Sequence, residues 1–113
     1  MASEETDPSS AQILERLGAT IAARGQADPA TSYVASLFAQ GQDAILKKVA
    51  EEAAETLLAA KDGDKLHLIR ETADLWFHCM VLLAWHGAQP ADVLAELQRR
   101  EGASGIEEKK ARG

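Results

Sequence analysis

A three-residue turn, Asp62-Gly63-Asp64, divides the most regular part of this 113-residue chain into two long segments. Residues 43–61 and 65–86 are rich in Ala, Leu, Glu and Lys and lack the apolar-polar alternation of a strand. Both segments are therefore predicted to be α-helices. A connection this short joins neighbouring helices that run in opposite directions. The sequence thus predicts an antiparallel helical hairpin at the centre of the fold.

Glycine and proline divide the rest of the chain at RGQADP, QG and HGAQP, which are typical of turns. Ser32 and Asp64 are predicted to be the N-caps of the second and fourth helices, and Pro90 suits the first turn of the fifth. The predicted helices are Ile13–Arg24, Ser32–Gln40, Asp43–Lys61, Lys65–His86 and Pro90–Arg99. The predicted fold class is all-α.

Composition and charge exclude several classes of protein. Residues 1–11 and 101–113 have little to bury and are predicted to be disordered, which leaves one domain at roughly residues 12–100. The net charge of −6 argues against a nucleic-acid surface, which needs a basic face. The sequence shows neither a signal peptide nor the roughly 20 apolar residues of a membrane span. A single cysteine, Cys79, cannot form an internal disulfide, so a cytoplasmic location is predicted.

Acidic residues on the two hairpin helices are predicted to lie at matching heights. Counted from Gly63, Glu55 and Glu71 are each eight residues away, and Glu52 and Asp74 are each eleven away. At a rise of about 1.5 Å per residue, this places two carboxylate pairs one helical turn apart. The same register pairs apolar residues with each other: Ile45 with Val81, Val49 with Phe77, and Ala53 with Ala73.

A helical projection gives the third segment two faces. The apolar stripe contains Ile45, Val49, Ala53, Thr56, Leu57 and Ala60. The charged face contains Lys48, Glu51, Glu52 and Glu55. On the fourth segment, one strip contains His67, Glu71, Asp74 and His78. The two histidines are interpreted as partners of carboxylates and not as metal ligands.

Four carboxylates between two helices repel one another unless a cation neutralises them. Hard divalent cations bind oxygen ligands, and Mg²⁺ is the usual ion where a phosphate completes the coordination shell. A magnesium site is therefore predicted, and it would allow an acidic protein to bind a phosphorylated substrate. The basic residues considered as direct phosphate partners are Lys47, Lys48, Arg70, Arg99 and Arg100.

The blocks "EEAAE" and "ETAD" are similar to the E-E-x-x-E and E-x-x-D motifs of the MazG-like all-α nucleotide pyrophosphohydrolases. The longer run with "SYVASL", "KKVAEEAAE" and "AAKDGD" resembles one branch, the phosphoribosyl-ATP pyrophosphatases of histidine biosynthesis, over roughly residues 12–100. This resemblance implies Mg²⁺-dependent hydrolysis of 1-(5-phosphoribosyl)-ATP to 1-(5-phosphoribosyl)-AMP and pyrophosphate. It also implies a helical bundle that is completed by dimerisation.

The same resemblance implies roles for individual residues of this chain. The positions that match metal ligands are Glu52, Glu55, Glu71 and Asp74. Glu51 and Glu52 are the candidate catalytic residues, with Glu51 as an additional ligand or as a base that orients water. Lys48 and Lys47 are the candidate substrate-binding residues, through contacts to phosphate.

The segment "LWFHCMVLLAW" is apolar nearly all round, and a domain of this size cannot cover it alone. A homodimer is therefore predicted. Two alternatives stay open: a general nucleoside triphosphate pyrophosphatase, and a non-catalytic dimerisation module whose acidic strip only binds a cation. Comparing turnover of phosphoribosyl-ATP with that of dUTP, dCTP and ATP tests the first. Magnesium binding without pyrophosphate release would favour the second.

Overall fold

The computed structural model describes residues 12–102 together with residues 105 and 109. Within these residues the elements are five helices: α1 (Ile13–Arg24), α2 (Tyr33–Gln40), α3 (Gln42–Asp62), α4 (Lys65–Trp85) and α5 (Pro90–Arg99). The all-α fold class is confirmed, and each helix end lies within one residue of its predicted position. The disorder predicted for 1–11 lies outside the described residues, and that predicted for 101–113 lies mostly outside them. No helix in the described part is long and apolar enough to cross a membrane.

Side-chain caps explain where two of the helices begin. Ser32 Oγ accepts a hydrogen bond of 3.1 Å from the backbone N–H of Ala35. Asp64 Oδ1 accepts one of 3.1 Å from the backbone N–H of His67. Each bond satisfies a donor that the first turn of a helix leaves unpaired. Both predicted N-caps are therefore confirmed, as is Pro90 at the first position of α5.

Helices α3 and α4 form the predicted hairpin, and Gly63 makes the turn between them. Gly63 has a φ of 75°, in the left-handed region, and its N–H donates to the carbonyl oxygen of Ala60 at 3.1 Å. Glycine adopts this conformation without the steric penalty that a Cβ atom brings. The turn therefore determines which residues of the two helices face each other.

The hydrophobic core lies at the end of the hairpin away from Gly63, where α1 and α2 pack against it. Its largest fully buried side chains are Ile21, Ile45 and Val81. Val34, Leu37 and Met80 complete the buried part of the same cluster. Ile45 and Val81 were predicted to be partners in the hairpin, and their shared burial agrees with that register. Toward Gly63, the charged residues Glu55, Lys61 and Lys65 of the hairpin are exposed.

The buried face of α3 differs from the predicted apolar stripe. Leu57 is 68% exposed and Ala60 is also exposed, so these two residues of the apolar stripe lie outside the buried face of α3. The buried residues of α3 are Ile45, Glu52 and Ala59, at intervals of seven. The stripe followed hydrophobicity alone, whereas burial depends on which residues face α4. That line includes a glutamate at position 52.

Candidate metal and substrate site

Three carboxylates from the two hairpin helices meet between α3 and α4. One oxygen from each of Glu52, Glu55 and Glu71 lies within 4.8 Å of the other two. Glu52 and Glu55 follow each other by about one turn on α3, and Glu71 approaches them from α4. The turn at Gly63 explains this meeting, since it places Glu55 and Glu71 at equal heights. We call Glu52, Glu55 and Glu71 the acidic cluster.

Two buried oxygens of the acidic cluster lack a hydrogen-bond partner among the described residues. They are Oε1 of Glu52, a residue that is 7% exposed, and Oε1 of Glu71. Burial raises the pKa of Glu71 above its ordinary value, and the neighbouring Glu55 carboxyl raises it further. A buried carboxylate oxygen without a donor is costly, because it has lost water and gained nothing in return. A cation that takes oxygen ligands would offset this cost.

His67 is a direct neighbour of the acidic cluster and can donate a hydrogen bond to it. Its Nε2 lies 3.2 Å from Oε2 of Glu71, and this contact opposes the upward shift in the pKa of Glu71. The His67 side chain is 47% exposed. The interpretation of His67 as the partner of a carboxylate is therefore confirmed.

A positive charge lies beside the acidic cluster, on the side away from Gly63. Lys48 Nζ is 3.5 Å from Glu51 Oε1 and 3.7 Å from Glu52 Oε2. The phenol of Tyr33, followed by the carboxylates of Glu51 and Glu52, raises the pKa of Lys48. About a third of the Lys48 side chain is exposed, so its ammonium group remains accessible to a ligand.

Not every predicted site residue joins the acidic cluster. Asp74 is exposed and is absent from the group of carboxylates that the structure brings within 4.8 Å. Glu52, its predicted partner across the hairpin, instead approaches Glu71. Glu51 and Lys47 are exposed on α3. The metal-binding role of Asp74 and the roles of Glu51 and Lys47 stay predictions.

The two arginines at the end of α5 have a different environment from the acidic cluster. Arg99 Nη2 lies 2.7 Å from Glu96 Oε2, and Arg100 Nε lies 3.0 Å from the same oxygen. These contacts lower the pKa of Glu96 to about 2. Both arginines therefore already have a carboxylate partner on their own helix, which weakens the suggestion that they bind phosphate.

A hydrogen-bonded pair that links α2 to α4 was missed from the sequence. Tyr33 Oη lies 2.7 Å from Nε2 of His78, and Nδ1 of His78 lies 2.8 Å from the backbone oxygen of Asp74. A carbonyl oxygen only accepts, so Nδ1 carries a proton, and in the neutral ring Nε2 accepts from the Tyr33 hydroxyl. The interpretation of His78 as the partner of a carboxylate was wrong. Nothing local joins positions 33 and 78, since only the packing of α2 on α4 brings them together.

Comparison with known proteins gives a consistent result over the whole helical region. Residues 14–101 match the family model of phosphoribosyl-ATP pyrophosphohydrolase. A phosphoribosyl-ATP pyrophosphatase of Chromobacterium violaceum is 65% identical over 100 residues, which cover 88% of this chain and 93% of the relative. One from Nitrosospira multiformis is 66% identical over 100 residues, with 88% and 83% covered. One from Azoarcus sp. is 62% identical over 101 residues, with 89% and 94% covered.

The matched region contains the entire α3–α4 hairpin, and with it the acidic cluster, Lys48 and the pair of Tyr33 and His78. It therefore includes every residue that builds the candidate site. This chain belongs to the phosphoribosyl-ATP pyrophosphohydrolase family.

Proposed function

We propose that this protein hydrolyses 1-(5-phosphoribosyl)-ATP to 1-(5-phosphoribosyl)-AMP and pyrophosphate, an early step of L-histidine biosynthesis. Membership of the family and the names of its relatives support this substrate. The observation that carries the reaction class is the acidic cluster, with its two buried oxygens that lack a partner. Such a group of carboxylates is suited to a divalent cation, and a divalent cation is suited to a polyphosphate.

Magnesium fits the acidic cluster by donor chemistry. Glu52, Glu55 and Glu71 offer only carboxylate oxygens, which are the ligands that hard divalent cations prefer. Asp74 is proposed as a further ligand on the strength of the family resemblance. When bound, the ion neutralises the carboxylates, stabilises charge on the phosphate groups and polarises the attacking water.

The chain's own residues position the substrate and accept a proton. Hydrolysis adds water across the bond between the α and β phosphates, releases pyrophosphate, and transfers a proton from the water to a base. Glu51 and Glu52 are the proposed catalytic residues, and Glu51 has the more exposed carboxylate of the two. Lys48 is proposed to contact a phosphate oxygen, since its ammonium is a fixed cation beside the cluster. Lys47 is proposed as a second, more peripheral phosphate contact.

Pyrophosphate release tests the proposed function directly. Purified protein would be assayed with phosphoribosyl-ATP, ATP, dUTP and dCTP, each with Mg²⁺ and with excess chelator. We expect Mg²⁺-dependent release with a strong preference for phosphoribosyl-ATP. Equal turnover of all four would identify a general pyrophosphatase, and Mg²⁺ binding without release from any of them would favour a non-catalytic cation-binding module. Growth of a strain that lacks the activity, on medium without histidine, gives an independent result.

We further propose that the protein is a homodimer. Within the described residues, twelve large apolar side chains are exposed to solvent. Trp76 is 57% exposed and borders an apolar groove of about 320 Å³, which also includes Met80, Leu83, Leu94 and Leu97. Exposed apolar surface that is continuous with a groove is typical of a protein-protein interface. A second copy of this chain is the proposed occupant, because helix hairpins bury such surfaces when they form a bundle.

A further inference from the structure

We propose that Tyr33 contacts the substrate by accepting a hydrogen bond from a ribose hydroxyl of the nucleotide, and that His78 is the positioning residue that orients the phenol oxygen. This inference rests on the proposed nucleotide substrate. It assigns a role to two residues that the acidic cluster does not use.

The hydrogen-bond chain determines what the Tyr33 oxygen can bind. His78 is 6% exposed, and its Nδ1 donates to the backbone oxygen of Asp74 at 2.8 Å. With Nδ1 protonated, Nε2 of the neutral ring is the acceptor for the phenolic proton of Tyr33, whose oxygen lies 2.7 Å away. A tyrosine hydroxyl has one proton, so its oxygen is left as an acceptor only. Phosphate oxygens are also acceptors and are excluded, which leaves hydroxyl and amino groups as ligands.

Tyr33 is held in place and is nevertheless accessible. Its ring stacks on Phe77 with centroids 6.4 Å apart and an interplanar angle of 22°. The edge of His78 lies against it, with centroids 5.7 Å apart and an angle of 89°. The residue is still 49% exposed. Tyr33 is thus a rigid aromatic side chain whose proton is already donated to His78 and whose surface is partly exposed. Such a side chain is suited to binding a ligand, because it loses little conformational entropy on binding.

The location of Tyr33 suits the sugar of a nucleotide. Its phenol is close enough to Lys48, Glu52, Glu51 and Asp74 for their charges to act on it, in addition to the burial that raises its pKa. His78 is farther from Gly63 along α4 than Glu71 is, so the Tyr33–His78 pair lies beyond the acidic cluster. We place the ribose on this side because the phenol oxygen can accept from a hydroxyl group and not from a phosphate oxygen, whereas the acidic cluster is suited to a cation with phosphates.

The Lys48 ammonium is a nearby donor that could bond to the phenol oxygen of Tyr33 in place of a substrate hydroxyl. Its ammonium pairs with Glu51 at 3.5 Å and with Glu52 at 3.7 Å. No hydrogen bond joins Lys48 to Tyr33 in the described residues, in which Tyr33 bonds to His78. A lone pair of the Tyr33 oxygen is therefore available to a substrate hydroxyl.

Substrates without one ribose hydroxyl test this contact. We would measure kcat/KM for phosphoribosyl-ATP and for its 2′-deoxy and 3′-deoxy forms, altered on the ribose that carries the triphosphate. In the unmodified enzyme, one of the two deletions should lower kcat/KM by about threefold to tenfold, the range for a neutral hydrogen bond. Tyr33→Phe should lose a similar factor on the full substrate and lose nothing further on that deoxy form. The proposal would be overturned if Tyr33→Phe lowered kcat/KM equally on all three substrates, or if it lowered kcat/KM on none of them.

Two further variants separate orientation from packing. His78→Phe removes the acceptor of the phenolic proton and should reduce the discrimination between the full and deoxy substrates. The matched control is Phe77→Leu, which disturbs the stacked ring and should lower thermal stability while the discrimination is kept. Were the unmodified protein inactive on phosphoribosyl-ATP, the proposed function would fail on its own. The Kd values of ATP, 2′-deoxy-ATP and 3′-deoxy-ATP would then be measured for the unmodified protein and for Tyr33→Phe. If the ratio of the Kd of each deoxy form to the Kd of ATP were the same in both proteins, the contact would be refuted.

Discussion

At the scale of single residues, Glu71 is expected to lower the stability of the magnesium-free protein while contributing to the proposed binding of a cation. One of its oxygens is buried without a partner among the described residues, and burial and then Glu55 raise its pKa. Replacing Glu71 with Gln removes a charge at almost constant size. We expect Glu71→Gln to raise the Tm of the magnesium-free protein by a few degrees, because the repulsion is smaller. Thermal unfolding with chelator measures this change.

The same variant should lose the stabilisation that Mg²⁺ brings, because a ligand that binds only the folded state raises its stability. Activity should fall by more than about 100-fold, since even residues behind metal ligands contribute 10–100-fold. Glu15→Gln is the control, because it removes the same charge from an exposed position on α1. A normal magnesium-induced shift in Glu71→Gln would remove Glu71 from the proposed site.

Lys48 offers a second test at this scale, because its ammonium either contacts phosphate or only balances Glu51 and Glu52. If it contacts phosphate, Lys48→Met should lose about 1.5–3 kcal/mol of transition-state stabilisation, the range for a hydrogen bond to a charged group. Magnesium affinity should be unchanged or slightly higher. If it only balances charge, the loss should be small and should shrink as salt screens it.

The measurement is kcat/KM across a salt series, with phosphoribosyl-ATP and with ATP. Lys61→Met, near the exposed end of α3, is the matched control for the loss of one positive charge. A loss confined to phosphoribosyl-ATP would support the histidine-pathway function. An equal loss on both nucleotides would leave a general pyrophosphatase in contention.

At the scale of elements, Gly63 determines the geometry of the site. Its φ of 75° is unfavourable for residues with a Cβ atom, although no atom lies within 4 Å of the position that a Cβ would occupy. Gly63→Ala should therefore lower the free energy of unfolding by about 1–2 kcal/mol through backbone strain alone. Gly63→Asn is the control and should lose less, because asparagine tolerates this region better. Urea denaturation measures both, and an unchanged midpoint for Gly63→Ala would contradict the prediction.

The features of these elements that could be predicted from sequence are those with a local cause. Gly63, Asp64 and Pro90 end or begin helices through their own backbone preferences and side chains, and counting from the turn placed Glu55 opposite Glu71. The buried face of α3 could not be predicted in the same way, because hydrophobicity favoured Leu57 over Glu52. A functional site explains this exception, because a buried glutamate lowers the stability of the fold and is expected where it serves binding or catalysis.

The link between Tyr33 and His78 could not be predicted because it depends on tertiary packing. The two residues are separated by 45 positions, and neither belongs to a periodic pattern that includes the other. The sequence placed His78 on the same strip as Asp74, and the structure explains that neighbourhood by a bond to the Asp74 backbone. Pairing across helices that are not adjacent in the chain needs the arrangement of α2 on α4.

At the scale of the whole molecule, the net charge of −6 opposes the approach of a polyphosphate. Binding therefore depends on local positive charge, from Lys48 and from the cation proposed for the acidic cluster. This explains why the same small region has to combine carboxylates with a lysine. Elsewhere on the surface, the notable feature is the area of apolar side chains that are exposed to solvent.

Exposed apolar residues at this scale lead to a prediction about assembly. Trp76 is 57% exposed, so Trp76→Glu should leave the core of one chain intact. If the groove beside it binds a second copy, the introduced charge should be buried in the interface and should convert the dimer to monomers. Sedimentation at micromolar concentration should show dimers of the unmodified protein and monomers of the variant, with unchanged helix content.

Ala19→Glu is the control for this prediction, because it adds the same charge at an exposed position of α1 that does not line the groove. It should remain dimeric. A stable monomer of the unmodified protein would refute the homodimer, and a dimeric Trp76→Glu would place the interface elsewhere. Magnesium binding gives a further result: if each hairpin builds its site within one chain, monomeric Trp76→Glu should still bind magnesium at the acidic cluster. Loss of magnesium binding on dissociation would instead show that the partner chain supports the arrangement of α3 and α4.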